Sequence, residues 1–358
     1  MPPTTQQAWA CVSHGQPLQK VDLPVPEPHG TEILIRVTHA GVCHSDLHAW
    51  EGFYHLGGGK KFWLKDRGVS LPRALGHEIL GTVEKYGPDV DPSDVPPLGA
   101  SRVVYPWVGC QSCRRCEDGD DNLCLKQQTR GVFTDGGFAQ YITVPHAKYL
   151  VDYGNVDPAV ACTFGCSGLT VLSCIQKVMP LKPQDPVLLV GAGGLGLAAI
   201  AMLKAVGHEK IISCDITPEK RQAALDAGAT AVFDSTAAEA AKVAVETAGE
   251  PYFAALDFVN TTKTAELAMG SLAKGGKMVA VGILGGEITV SLVSMIFTAR
   301  TIMGNITGTP QHLRDVTKLA TDGKLAPIPV TRVPWDEAHE ALMRLKRGEV
   351  TGRLILIH

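Results

Sequence analysis

PVLLVGAGGLGLAAIAMLKAVG, residues 186–207, decides the fold. An apolar run, Val187–Val190, meets a glycine-rich turn, and an Ala/Leu-rich helical stretch follows. Gly191, Gly193 and Gly196 form G-x-G-x-x-G, and Gly194 and Leu195 open the helix. The first glycine permits the tight turn, the second lets backbone approach a pyrophosphate, and the third lets helix pack on strand. The helix N-terminus adds unpaired N–H groups and the positive end of a dipole. Gly-rich turns are common, so the context has to carry the assignment. Asp215 ends the next predicted strand, nineteen residues beyond Gly196. There a carboxylate can accept hydrogen bonds from the ribose of NAD and repel the additional phosphate of NADP. Lys220 and Arg221 are the counter-signal, since either can approach a 2′-phosphate.

Downstream, KIISCD, ATAVFD, FAALDFV and GKMVAVG read as strands; TPEKRQAALDAG, STAAEAAKVAVETAG and TKTAELAMGSLA read as helices between them. This alternation predicts right-handed βαβ units in a doubly wound parallel sheet, with TARTIMGNI as a sixth strand. Beyond about 301 the chain is expected to leave the sheet for two helices, HLRDVTKLATDG and WDEAHEALMRLKRG, and a last strand, TGRLILIH. Upstream, DPAVACTFGCSGLTVLSCIQKV has helical spacing. Residues 7–150 contain short strands between Gly/Pro turns, among them ILIRVTHAGV, GTVEKYG, SRVVYPWVG and FAQYITVP. The long loops at 43–77 and 108–135 are of the kind that carries function. The expected fold class is therefore α/β: a Rossmann domain at 158–300 and a β-rich domain from 1–157 and 301–358.

A chain of 358 residues suits two domains rather than one core. The net charge of −3, with no basic arm, argues against nucleic acid as a partner. No apolar run reaches membrane-spanning length, and MPPTTQQAWACV lacks a cationic segment followed by an apolar run. Ten cysteines without an export signal point to a reducing, cytoplasmic setting, where thiols serve metals or catalysis more often than disulfides.

GCQSCRRCEDGDDNLC places Cys110, Cys113, Cys116 and Cys124 at C-x2-C-x2-C-x7-C. Four thiolates close the coordination sphere of a tetrahedral zinc, so this site is expected to be structural. An iron–sulfur run would put its fourth cysteine at 120, before a proline; Asp120 and Asp121 stand there instead. Arg114, Arg115 and Lys126 are positioned to offset the thiolate charge.

GVCHSDLHAW, residues 41–50, concentrates a thiol, two imidazoles, a hydroxyl and a carboxylate. Hydride transfer from an alcohol needs an acidified hydroxyl, which zinc supplies from a site with three protein ligands and one open position. Cys43 is one candidate ligand, and LGHEILG offers His77 with Glu78 beside it. Cys166 in FGCSGLTV is the best-placed third ligand, with Cys162 competing; Cys11, Cys174 and Cys214 read as small core residues.

GVCHSDLHAW, LGHEILGTV, the four-cysteine loop, DGGFAQYITV, GCSGLTV, GAGGLG and GEVTGRLIL together resemble the zinc-dependent alcohol dehydrogenases of the medium-chain dehydrogenase/reductase superfamily, over essentially the whole chain. The resemblance implies a GroES-like catalytic domain interrupted by the Rossmann domain, with the active site in the cleft between them. It implies Cys43, His77 and Cys166 as catalytic zinc ligands, preferring Cys166 to Cys162. Glu78 is then close behind the metal, and Asp46 orients His77, as carboxylates do around zinc imidazoles. Ser45 is implied to take the alcohol proton and pass it through the nicotinamide ribose to His48, roles suited to a hydroxyl and an imidazole. His44 and Arg353 match positions that contact the pyrophosphate. The implied reaction converts an alcohol and NAD to an aldehyde or ketone, reversibly, with two zinc ions per chain. A homodimer or homotetramer is implied as well; KMVAVGI and EITVSLVSMIF could form its apolar interface or belong to the core.

The segment EGFYHLGGGKKFWLKDRGVSLPRA is about ten residues longer than in the compact microbial ethanol dehydrogenases the chain otherwise resembles. Its Phe53, Tyr54, Phe62 and Trp63 could wall a larger pocket for secondary, cyclic or aromatic alcohols, or pack on their own domain. A polyol or sugar dehydrogenase of the same superfamily often has a carboxylate where Cys166 stands, and a zinc-free reductase would lack both cysteine sets. A catalytically silent NAD-binding protein would have no use for three ligands plus relay groups.

Overall fold

The computed structural model describes residues 2–358. Val187–Val190 is buried throughout, as a central strand covered on both faces must be, and so reads as a continuous apolar run. It lies in a six-stranded parallel sheet ordered Ala231–Asp234, Ile211–Asp215, Val187–Val190, Tyr252–Asp257, Leu272–Ala280, Thr301–Gly304. The order reverses beside Val187–Val190, which opens a crevice at the carboxyl ends of the strands. Leu189 is fully buried there, and truncating such a leucine to alanine costs about 2–5 kcal/mol.

Thr301–Gly304 pairs with Lys277–Ala280 and completes the sheet, as TARTIMGNI led us to expect. Thr301–Gly304 thus lies in this sheet, just past the expected boundary between 300 and 301. The two candidate interface stretches also separate. Met278 and Val279 of KMVAVGI are buried in the sheet, whereas EITVSLVSMIF contributes a helix, Leu292–Thr298, in which Leu292, Ile296 and Phe297 are 79%, 76% and 74% exposed.

The β-rich domain centres on Ile33–Val42, which pairs antiparallel with Glu78–Tyr86, Tyr141–Val144 and Arg353–Ile357. Ser101–Val104 and Leu150–Val151 extend one side of this seven-stranded sheet, and Val330–Pro334 the other. The predicted strand SRVVYPWVG stops at Val104, shortly before Pro106, which has no N–H to give a ladder. The segment 43–77 is well built: a helix, His44–Glu51, then a hairpin of Phe53–Gly57 and Lys60–Trp63, then a short turn of helix, Leu64–Arg67.

The domains join through Pro158–Ala161, Cys162–Gly165 and the helix Ser167–Val178. Asp157 caps the first of these by accepting from Ala159 N at 2.9 Å, with Pro158 at the first helical position. The pair 158–165 and 167–178 together have the length and composition of a bent membrane span, but most of their residues are buried in the core. No single helix among the described residues is long and apolar enough to cross a membrane.

Candidate active site

Strand register delivers three of the site's residues. Gly41 pairs with Glu78, so Cys43, just past the end of one strand, faces His77, just before the start of its neighbour. Leu354 pairs with Val42, which brings Arg353 alongside Cys43 from the other flank. Cys166 arrives from the domain junction, where the turn Cys162–Gly165 gives way to the helix Ser167–Val178. The ligand atoms of Cys43, His77 and Cys166 lie within 4.8 Å of one another, and all three residues are buried. Cys162 is not in this group; its thiol donates to Ala159 O at 3.3 Å.

One carboxylate ties the segments together. Asp46 is fully buried and accepts from Cys43 N at 2.9 Å, from Gly76 N at 3.1 Å and from His77 Nδ1 at 2.9 Å. With Nδ1 donating, Nε2 of His77 carries the lone pair. That nitrogen is buried without a partner among the described residues. A buried acceptor with no donor beside two thiols fits a cation better than it fits a finished core. The Cys166 thiol donates to Cys43, and this bond, aided by Arg353 and His77, holds Cys43 well below the usual thiol range while Cys166 is held above it. Three donors, two of them sulfur, make a zinc-type set.

Behind the triad, Glu78 has no exposure and accepts from Arg353 Nη2. Burial pushes its carboxyl up to about 7, against the pull of Arg353. Arg353 also lies on the glycine turn: a Cβ on Gly194 would meet its Cδ at 2.5 Å. It thus links the triad to the Rossmann turn across the domain boundary. Ser45 and His48 stand three apart on the helix His44–Glu51 and share a face. His48 is buried with neither ring nitrogen hydrogen-bonded among the described residues, and burial lowers its pKa. His44, at the start of the same helix, lies within the electrostatic reach of Arg353 and Lys220.

At the turn, Gly191 has φ +96°, and a Cβ on Gly196 would collide with the Gly191 carbonyl. Around Gly193 a Cβ would meet nothing within 4 Å, so the backbone there is open to a phosphate. Asp215 braces this turn by accepting from Ala192 N at 2.9 Å, and accepts from Thr217 N at 3.1 Å. Arg221 donates to the carbonyls of Asp215 and Ile216 at 2.9 and 3.1 Å and lies 3.4 Å from Asp234. Of the two counter-signals for NADP, Arg221 is thereby engaged in holding the strand end. Lys220 has no ion-pair partner among the described residues.

The second cluster is Cys110, Cys113, Cys116 and Cys124, again with sulfurs within 4.8 Å of one another. Cys113 lies 3.6 Å from Cys116 and 3.8 Å from Cys124. A tetrahedron with Zn–S bonds of about 2.3 Å has edges of about 3.8 Å, so the cradle matches zinc. The expected charge partners behave differently. Arg114 and Arg115 turn to Asp118 and Asp120 at 3.6 and 3.2 Å, while backbone N–H groups of Cys110 and Lys126 approach Cys124 at 3.3 Å. Peptide dipoles, rather than guanidinium groups, face the sulfur.

The long segment divides its aromatics. Phe53 and Trp63 pack on each other at 5.2 Å with Lys61 over the Phe53 ring, at the surface. Tyr54 instead turns inward, its ring 5.1 Å from His48. Burial first, then the charges of Asp46, Cys43 and Cys166, push its phenol above the usual tyrosine range. Sequence reasoning missed Trp107, whose ring lies 5.3 Å from His77 and whose Nε1 donates to Gly165 O at 3.0 Å. An aromatic three residues ahead of Cys110 was the only available signal.

Comparisons with known proteins identify the family and the fold. Residues 29–153 match the family described as alcohol dehydrogenase GroES-like domain, and residues 194–322 match zinc-binding dehydrogenase. An NAD-dependent alcohol dehydrogenase of Saccharolobus solfataricus is 34% identical over 98% of this chain and 99% of its own length. Among solved structures, an alcohol dehydrogenase from Aeropyrum pernix superposes with a TM-score of 0.88 at 28% identity, covering 98% of this chain and 100% of that one. Acetophenone reductase from Geotrichum candidum, solved with NAD, gives 0.86 at 28% identity over 100% of this chain and 98% of its own. The two family matches and full-length relatives above 30% identity make this chain a member of the zinc-dependent alcohol dehydrogenases of the medium-chain dehydrogenase/reductase superfamily, NAD-linked oxidoreductases that carry zinc.

Proposed function

We propose that this chain interconverts alcohols with aldehydes or ketones using NAD, with Cys43, His77 and Cys166 holding the catalytic zinc and Cys110, Cys113, Cys116 and Cys124 a structural one. The observation that carries the assignment is the partnerless, fully buried Nε2 of His77 beside two thiols. Zinc held there would supply Lewis acidity of the kind that brings water from a pKa of ~15.7 to ~7, and NAD bound at the glycine turn would be the hydride acceptor. Asp46 fixes the His77 ring and its tautomer. Ser45 would accept the alcohol proton at its hydroxyl oxygen while releasing its own toward the nicotinamide ribose, and His48, whose cation burial disfavours, would take the relayed proton on an unsatisfied ring nitrogen. Glu78 waits behind the ligands, restrained by Arg353. On the cofactor side, the 191–196 turn takes the pyrophosphate with His44, Lys220 and Arg353, and Asp215 takes the ribose.

The inward ring of Tyr54 supports a pocket for bulkier secondary, cyclic or aromatic alcohols over ethanol. The exposed apolar face of Leu292–Thr298, next to the edge strand Thr301–Gly304, supports a homodimer or homotetramer. Ten unpaired cysteines support a cytoplasmic setting. Metal analysis combined with a substrate panel tests the proposal. Two zincs per chain and NAD reduction by 1-phenylethanol or cyclohexanol are expected; one zinc, or no alcohol-dependent NADH, contradicts it.

A further inference from the structure

The hairpin Phe53–Trp63 belongs to the catalytic domain, yet its tip rests on the Rossmann domain. Two glycines of the tip take part in the contact. A Cβ on Gly57 would collide with Glu287 Cγ, and one on Gly58 would meet Glu287 Oε2 at 2.8 Å. From the other side, a Cβ on Gly285 would meet His55 Cβ at 2.5 Å and its carbonyl oxygen at 2.6 Å. The receiving loop is itself anchored, because Glu287 N donates to Thr262 Oγ1 at 3.1 Å at the start of the helix Thr262–Ser271. The third glycine of the tip, Gly59, shares the left-handed conformation (φ +76°) but has nothing within 4 Å of its Cβ. At the hairpin's root, Tyr54 lies on His48.

We infer that Gly285–Glu287 is a seat for the hairpin, and that Gly57 and Gly285 are positioning residues which, by seating it, fix Tyr54 as the wall that sets how bulky an alcohol the cleft holds. This rests on the alcohol dehydrogenase assignment above and adds to it a specificity-determining contact between the domains.

Three single variants separate the seat from ordinary backbone strain. Gly57→Ala and Gly285→Ala meet both a positive φ and a collision; Gly59→Ala meets the positive φ alone. Two readouts apply to the full-length enzyme, after circular dichroism has confirmed the fold. Trypsin cleavage after the exposed Lys60 and Lys61 should be roughly ten times faster in Gly57→Ala and Gly285→Ala than in Gly59→Ala once the tip is released. Adding Glu287→Ala to Gly57→Ala removes the colliding Cγ, leaves only the Gly286 backbone carbon at 3.1 Å, and should bring cleavage most of the way back to the Gly59→Ala rate. In kinetics, KM for 1-phenylethanol should rise about five-fold in the two seat variants, with kcat and the KM for ethanol held near wild type. Equal cleavage in all three variants would refute the seat. Faster cleavage with no selective rise in the KM of the bulky alcohol would refute its part in specificity. The proteolysis arm stands without turnover, so an enzyme inert toward every alcohol would overturn the dehydrogenase assignment while leaving the seat measurable.

Discussion

The two cysteine cradles differ in how they are assembled. Cys110–Cys124 draws all four sulfurs from one stretch of fifteen residues (124 − 110 + 1), two of them only partly buried, and peptide N–H groups serve the sulfur. Cys43, His77 and Cys166 come from three segments, are all buried, and are locked by Asp46, Glu78 and Arg353. A local cradle can organise only itself, and its metal stabilises a loop that has little core of its own. A cradle assembled at long range needs the folded domains first, and can leave one coordination position for chemistry.

The largest expected effect breaks the symmetry between them. Cys43→Ala should reduce alcohol turnover by at least about a thousandfold while one zinc, NAD binding and the melting temperature persist. Stopped-flow kinetics and metal analysis on the same sample check this. The mirror experiment is Cys116→Ala, which should also cost one zinc but lower the melting temperature by roughly 10 °C, seen by calorimetry, and expose the 108–135 loop to proteases. If both variants behaved alike, the division into catalytic and structural sites would fail. Asp46→Asn sharpens the contrast, because the four-cysteine cradle has no comparable carboxylate on its ligands. It should weaken zinc at the catalytic site by about 10–100-fold in a chelator competition while the other zinc holds.

The smallest effect concerns His48. As a proton acceptor it works only when neutral, and burial lowers its pKa, so the native enzyme should stay competent at a more acidic pH than an ordinary imidazole with a pKa of about 6.5 would allow. His48→Gln should slow alcohol oxidation about ten-fold, most at low pH where solvent base is scarce, and remove the acid-side inflection of the pH–rate profile. An unchanged profile would place His48 outside the proton path.

What was legible in the sequence was whatever short spacing encodes. The 191–196 turn, the C-x2-C-x2-C-x7-C loop and each βα unit of the alternation lie within a short contiguous stretch, so their geometry follows from local chain chemistry. The three-segment cradle was harder: residues alone left Cys166 against Cys162, and family likeness decided, because nothing local states which thiol faces a histidine 89 residues earlier in the chain. Tyr54 and Trp63 look equivalent in the sequence, yet one points at His48 and the other at the surface, since hairpin register sets the facing. Arg114 and Arg115 looked like counter-charges for sulfur, and neighbouring aspartates took them instead. The edge strand at 301–304 was anticipated, but its register was not, because that depends on a partner twenty-four residues earlier (301 − 277 = 24).

Arg353–Ile357 lies inside the catalytic sheet, against Val42, with more than three hundred residues of chain between the two strands. During translation the N-terminal half must therefore wait, the His39–Val42 end of its central strand unpaired on one flank, until this segment has left the ribosome. The nucleotide-binding half, contiguous and already complete, can fold in the meantime and hold the waiting ends close together. Ribosome-stalled chains ending near residue 350 should show a protease-resistant Rossmann core attached to a digestible N-terminal half; equal resistance of both halves would show that the late strand is dispensable.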